Sequence, residues 1–327
     1  MTRHSPHILR ESQPLRLGIS RCLLGEPVRY DGGHKRDQFL VDILGKHVEW
    51  VPVCPEVEAG FGTPRESMRL VDDLAEPRLI TIRSSNDNTN VMRRYAKTRL
   101  QDLRSLNLSG YVFKKDSPSC GAQRVRVYTR EGHRLGNGKG IFANAFQHMF
   151  PLIPIEEEDR LQDERLRENF IERVFGYHRW QSHTMNGRLS KRALVSFHTS
   201  QKYLLLAHSR HHYQKLGQLL ANAQPCTPRQ LATLYGQLFM EGLAVKTTVR
   251  KHRNVLQHLA GLLKRQLNEI ARAELHEVIH DYHRGLVPLN VPITLIRHYV
   301  KIFAIPYLQD QTYLNPHPKE LLLRNQV

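Results

Sequence analysis

Three cysteines share one kind of local sequence. Cys22 follows the apolar stretch Leu17-Gly18-Ile19-Ser20, Cys54 follows Trp50-Val51-Pro52-Val53, and Cys120 follows Tyr111-Val112-Phe113, each in a segment carrying Gly or Pro. Thiolates are the usual ligands of iron–sulfur clusters, and three of them on a cubane leave one iron without a protein ligand. Such an iron is a Lewis acid with an affinity for sulfur. Glu56 lies just beyond Cys54, and Asp116, Ser117 and Ser119 surround Cys120, so groups suited to proton transfer and to positioning water accompany the thiols. The loop Arg29-Tyr30-Asp31-Gly32-Gly33 adds a cation, a stacking ring and an acceptor. The plain alternative is that the cysteines are small buried hydrophobes, as free cysteines often are, and no CxxC pair argues against it.

For the three thiols to meet, separate elements must bring them to one place. Short apolar runs at residues 17–20, 48–53, 79–82 and 111–113 alternate with turn residues and helical stretches, which predicts βαβ units and a largely parallel sheet with flanking helices. Loops leaving the carboxyl ends of parallel strands converge on one crevice. Met92, Tyr95, Ala96, Leu100, Leu103 and Leu106 recur at helical spacing and predict a crossover helix over 92–106. Residues 132–140 are glycine-rich and basic, and 141–150 read as a helix that closes the domain. Beyond residue 170 strand signals fade and 3.6-residue periodicity takes over, through 189–206, 229–243 and 245–283. The expected organisation is a tail over 1–14, an α/β domain over 15–155, a solvated, charged linker helix over 156–169, and an all-α domain over 170–327.

The chain has 327 residues, 40% of them hydrophobic, enough for at least one full-sized core, and its length makes two domains the expectation. No apolar run approaches the ~20 residues needed to cross a bilayer, and residues 1–14 contain no hydrophobic signal core. Four cysteines without regular spacing do not form the disulfide framework of a small secreted domain. These readings place the chain in the cytoplasm, away from membranes, with its thiols reduced. The net charge of +17 makes an extended polyanion, above all a nucleic acid, the first partner to consider. Simple solubilisation by arginine is the alternative. Thirteen of the nineteen histidines lie beyond residue 175 without metal-ligand spacing and are expected on a polar or RNA-facing surface.

The segments Cys22-Leu23-Leu24-Gly25, Arg29-Tyr30-Asp31-Gly32, Cys54-Pro55-Glu56, Thr63-Pro64-Arg65 and Ser117-Pro118-Ser119-Cys120-Gly121 occur in order. Over roughly residues 15–155 they resemble the thiouracil desulfidase (TudS-like) family. The resemblance implies a [4Fe–4S] cluster on Cys22, Cys54 and Cys120, whose unligated iron takes the substrate's sulfur without net redox change. Sulfide or water would otherwise occupy that position. It also places Glu56 and Ser117 at the catalytic positions, with Arg29, Tyr30 and Asp31 available to the substrate. Cys226 lies outside every motif and is expected at a helix boundary.

The second half has ordered motifs of its own. Lys202-Tyr203-Leu204-Leu205-Leu206-Ala207-His208-Ser209 is followed by Arg250-Lys251-His252-Arg253-Asn254-Val255-Leu256, Pro288-Leu289-Asn290-Val291-Pro292 and Tyr313-Leu314-Asn315-Pro316-His317-Pro318. On a helix, Arg250, Arg253, Asn254, Gln257 and Lys264 fall near one stripe, and Val249, Leu256, Leu259, Leu263 and Leu267 on another. Arg250, Lys251 and Arg253 are the candidate RNA contacts, with an ordinary solvated face as the alternative. Residues 170–320 resemble the YbgA-like domain, and its fusion to a desulfidase domain is similar to tRNA 4-thiouridine desulfidases (RudS-like). The resemblance implies that 4-thiouridine in tRNA is converted to uridine with release of sulfide. Two other readings stand beside it: a desulfidase of free thiouracil or thionucleosides, and an RNA-binding protein with a structural or sensing cluster.

Overall fold

A computed structural model describes residues 14–185, 190–222, 226–321 and 323–325; residues 1–13 of the expected tail lie outside the described residues. The chain divides into two compact units, Met1–Glu158 and Asp159–Val327.

The strands of the first unit are β1 (Arg16–Ser20), β2 (Glu49–Val53), β3 (Met68–Val71), β4 (Arg78–Thr81), β5 (Gly110–Phe113), β6 (Val125–Tyr128), β7 (Arg134–Gly138) and β8 (Ile155–Glu157). One sheet has the order β2-β1-β5-β8 and is wholly parallel, with Leu17 opposite both Trp50 and Gly110. Leu17, Ile19, Tyr111, Val112 and Phe113 on its two central strands are completely buried. The Tyr111 ring stacks on Phe113 at 4.0 Å and lies across Gly18, where a Cβ would stand 2.1 Å from that ring. Helix α1 (Pro55–Glu58) follows β2, and α2 (Thr89–Ser105) buries Met92, Ala96, Leu100 and Leu103, as their spacing predicts. Helix α3 (Ile141–Met149) buries Phe142 and Phe146, the latter edge-on to Tyr111.

One expectation for this unit's sheets is corrected. The run at 79–82 does not join the parallel sheet; it forms β4 in a second sheet ordered β4-β3-β6-β7, whose outer strands are antiparallel. The glycine-rich segment supplies that sheet's edge strand, β7, after a turn that Gly132 closes at φ 96°. β7 has too little apolar alternation to read as a strand.

Of the charged segment at 156–169, expected as a linker helix, only the end is α-helical, where the helix Glu164–Met185 begins. Ile155–Glu157 form strand β8, with Glu156 and Glu157 about 5% exposed, and a tight helical turn over Arg160–Gln162 precedes the next helix. The buried carboxylates of this segment find specific donors, which charge periodicity alone does not reveal.

The second unit is helical: α4 (Glu164–Met185), α5 (Lys191–Ser200), α6 (Lys202–His208), α7 (Arg210–Ala221), α8 (Pro228–Ala244), α9 (Val249–Leu263), α10 (Glu269–Arg284), α11 (Asn290–Ile302) and α12 (Pro306–Gln309). The long periodic stretches are broken by caps. The stretch 189–206, whose first residue lies outside the described residues, splits at Gln201, and 245–283 splits where Asn268 accepts the Ala271 N–H at 2.8 Å. Thr227 and Gln230 form a capping box at the start of α8, and Cys226 stands just before it.

Several histidines expected on the surface are core residues. His198 meets the Tyr235 hydroxyl at 3.1 Å, and His252 meets the Tyr313 hydroxyl at 2.9 Å. His208 lies between the Val245 carbonyl at 2.7 Å and Glu172 at 2.9 Å. Aromatic hydroxyls and a carboxylate replace the water these rings would otherwise need.

Arg324 ion-pairs with the other oxygen of Glu172 and donates to the Tyr313 carbonyl at 2.8 Å. Burial alone would raise the Glu172 carboxyl, but Arg324 and His208 outweigh it and hold it well below the usual carboxylate range. A carboxyl depressed in the native state contributes its full stabilisation above its unfolded value of about 4.3, and loses it as pH falls through the native value. Glu172→Gln, which leaves the buried Arg324 only the longer carboxylate contact, to Glu168 at 3.5 Å, is expected to destabilise this unit by up to about 3–5 kcal/mol at neutral pH. Urea unfolding followed by the helical signal measures the loss, and the deficit should shrink in strong acid.

Candidate active site

Cys22, Cys54 and Cys120 leave the carboxyl ends of β1, β2 and β5, three neighbouring parallel strands, and all three line one cavity of about 690 Å³. Each is less than one-tenth exposed, and all are free thiols.

The backbone around each sulfur is held from several directions. Cys22 sits in the tight turn Arg21–Leu24, where its carbonyl accepts the Lys35 N–H at 2.9 Å. Cys54 precedes α1, and Glu58 reaches back to accept the Cys54 N–H at 2.8 Å. The second Glu58 oxygen accepts the Tyr95 hydroxyl at 2.6 Å and pairs with Arg99 at 3.2 Å. The Cys120 loop docks on the start of α3: Phe142 and Ala143 donate to the Ser119 carbonyl at 3.0 and 3.2 Å, satisfying amides a helix otherwise leaves open. Gly140 permits this approach, because a Cβ there would stand 2.6 Å from the Ser119 carbonyl carbon.

The carboxylates of the misread segment brace the same loop. Glu157 accepts from the Ala122 and Gln123 amides at 2.8 and 3.0 Å, while Glu158 pairs with Lys114 and accepts the Lys115 N–H at 2.8 Å.

Glu56 and Ser117 come together on the cavity wall, with Ser117 Oγ 3.4 Å from Glu56 Oε1. Ser117 Oγ also accepts the Cys120 amide at 3.0 Å. Arg65 binds Glu56 Oε2 through Nε at 2.9 Å and through Nη2, and ties itself to the Val28 and Gly62 carbonyls. Arg29 and Tyr30 line the cavity. Asp31 does not; it accepts the Gly33 N–H at 3.0 Å and faces Arg29 at 3.4 Å, so it shapes the loop. Its carboxyl lies below its usual value, chiefly because of the Gly33 amide.

Arg65, Glu58, Lys114 and the Glu157–Glu158 pair are residues that the sequence reading left without a role. Arg65 was visible in the Thr63-Pro64-Arg65 motif, and Glu58 in its four-residue offset from a cysteine that opens a helix. The distance of more than thirty positions between Lys114 and Glu158 left no local signal for that pair.

Burial pushes the Cys22 thiol up to about 11, against the pull of Lys114. Burial likewise raises Cys54, and raises Cys120 well above the ordinary thiol range, with Cys54, Glu56 and Cys22 adding to the rise at Cys120. Left to themselves these thiols keep their protons; a cationic core gathered between them reverses that balance. Among the described residues no three His, Cys, Asp or Glu side chains are gathered to hold a single ion. The cavity of about 690 Å³ that the three cysteines line has room for a polynuclear group. The donor set fits a cluster with three protein ligands, and Lys114, Arg29 and Arg65 on the cavity wall offset its negative charge.

In the second unit Arg250 is exposed and Arg253 half-buried on α9, while Lys251 donates to the His208 and Lys246 carbonyls at 2.6 and 2.8 Å. Lys251 thus ties helix ends together. Leu256, Leu259, Leu263 and Leu267 pack inward as the stripe predicts, but Val249 is 42% exposed at the helix start.

Among the described residues no helix is long and apolar enough to cross a membrane. Residues 17–158 match the family described as 2-thiouracil desulfurase, and residues 202–318 match a family described as a protein of unknown function (DUF1722). Uncharacterized protein YbgA of Escherichia coli K12 is 29% identical over 163 residues, spanning 50% of this chain and 96% of that protein. Uncharacterized protein YbbK of Bacillus subtilis 168 is 30% identical over 130 residues, spanning 38% of this chain and 85% of the relative. A solved structure of TudS, a [4Fe-4S]-dependent thiouracil desulfidase, is 31% identical, with 46% of this chain and 94% of that one covered and a TM-score of 0.38. With its cysteine-lined cavity at the ends of three parallel strands, the chain belongs through residues 17–158 to the 2-thiouracil desulfurase family.

Proposed function

We propose that the chain removes sulfur from 4-thiouridine in tRNA, with a [4Fe–4S] cluster on Cys22, Cys54 and Cys120. The observation that carries this reading is the convergence of three buried thiols and the Glu56–Arg65 pair on one cavity. The net reaction is hydrolytic: a thiocarbonyl and water give a carbonyl and hydrogen sulfide, with no electrons exchanged. When bound, the cluster supplies a Lewis-acidic iron with affinity for sulfur.

The protein's own groups do the rest. Tyr30 offers a face for the pyrimidine, and Arg29 a cation beside it. Arg65 clamps Glu56 Oε2 and leaves Oε1 on the Ser117 side, where the carboxylate orients and deprotonates the attacking water. Ser117 holds the Cys120 amide and Glu56 in one arrangement, coupling the base to the loop that carries a cluster ligand.

The second unit supports the RNA substrate. Of the 48 Lys and Arg and 31 Asp and Glu in the chain, residues 159–327 carry 24 and 12, a surplus of +12 over basic helices that include the exposed Arg250. A free base supplies no phosphate array for such a surplus. The family description, which names 2-thiouracil, favours the free base as a second reading.

Anaerobic reconstitution followed by nucleoside analysis of treated tRNA separates the two. We expect 4-thiouridine to disappear and uridine to rise in parallel with released sulfide. Turnover of free thiouracil with tRNA left unchanged would overturn the RNA reading.

A further inference from the structure

A groove of about 440 Å³ continues the cysteine-lined cavity along the second sheet, and the two share Met68, Ile82, Asp116, Pro118 and Arg126. It exists because β3 and β6 pair only at Leu70–Val127 and Val71–Tyr128. Met68 and Arg69 pair outward with β4, and Val125 and Arg126 outward with β7, so the strand starts part from one another. Backbone polar groups facing a gap of this kind are free to meet the edge of a ligand.

The walls have a definite chemistry. Ile82 is 50% exposed at the junction with the cavity, an apolar side chain open to solvent. The Arg69 guanidinium lies over the Tyr128 ring at 5.8 Å, making a planar cationic and aromatic platform. Arg126 stands exposed and lines both the groove and the cavity. An apolar step and a cation shared with the cavity, and a stacking plane that lines the groove alone, match a ribonucleotide joined by phosphate to the base inside. Every base has a face that can stack on such a plane, and stacking is sequence-tolerant.

Resting on the desulfidation reading, we infer that this groove binds the nucleotide adjacent to the thiolated one. Arg126 meets the connecting phosphate, and the Arg69–Tyr128 pair stacks the neighbouring base. The N-terminal unit thereby distinguishes a strand from a free base through its own contacts. A longer, singly unstacked segment is the form in which proteins commonly read RNA.

The test compares anaerobically reconstituted full-length protein with Arg69→Gln and Tyr128→Ala, neither of which lies on the cysteine-lined cavity. Substrates are free 4-thiouridine and a trinucleotide with 4-thiouridine at its centre. Wild type should favour the trinucleotide in kcat/KM by about tenfold, the worth of one stacked base. The variants should lose that preference and turn over the nucleoside as wild type does. Equal turnover of both substrates by wild type, or a preference that survives both substitutions, overturns the groove assignment while leaving desulfidation intact. If no thiolated substrate reacts, the desulfidation reading falls, and anisotropy of a labelled uridine trinucleotide decides the groove. Weaker binding by both variants supports it, and unchanged binding overturns it.

Discussion

Cys120→Ala, reconstituted anaerobically, is expected to retain at least about tenfold less iron and acid-labile sulfide than wild type and to show no measurable desulfidation. Cys120 is the most enclosed of the three thiols, 6% exposed, and neighbours that include Cys54, Glu56 and Cys22 oppose its ionisation. A site this hostile to an isolated thiolate gains most from the positive core that three sulfurs share, and loses it when one sulfur is missing. Disturbing only the groups behind a metal's ligands costs 10–100-fold in affinity, so about tenfold is a floor for removing a ligand. The fold should survive, because trading a thiol for a methyl group leaves only a small void, about 1 kcal/mol. Cys226→Ala is the control, since that residue lies outside the cavity, and it should keep full iron and full turnover. Unchanged iron in Cys120→Ala would remove the cluster from this site.

Much of this arrangement was legible before any coordinates. The three apolar runs ahead of the cysteines are the strands of the parallel sheet, and the crevice rule for such sheets brings their following loops together. Glu56 and Ser117 were visible for the same reason, each within three positions of a cysteine. What stayed hidden depends on contacts between distant positions. Glu157 and Glu158 read as solvated charge, yet they hold the Cys120 loop, because their partners are backbone amides and a lysine more than thirty residues away. The histidines misled in the opposite direction. Periodicity places a polar residue on a helix face, but whether a tyrosine hydroxyl waits there, as for His198 and His252, is a fact of packing. Lys251 shows the same limit, since its ammonium is taken up by two carbonyls at helix ends.

Glu56→Gln is expected to lower kcat by about 10²–10⁴ while iron and sulfide content stay at the wild-type level. The amide keeps the shape of the side chain and its contact with Ser117, but it cannot accept a proton from water. Its cost to the fold is local. Arg65, 7% exposed, loses an ion pair yet keeps its bonds to the Val28 and Gly62 carbonyls, so the loop beside the cavity remains in place. That separation of chemistry from assembly distinguishes the enzyme from an RNA-binding protein whose cluster is only structural. A structural cluster has no use for a base, and the substitution would then leave RNA binding and every other property untouched. Equal nucleoside turnover by wild type and Glu56→Gln would assign proton transfer to another group. A parallel loss of iron would instead make Glu56 part of what holds the cluster, because the carboxylate contributes to the environment of both Cys54 and Cys120.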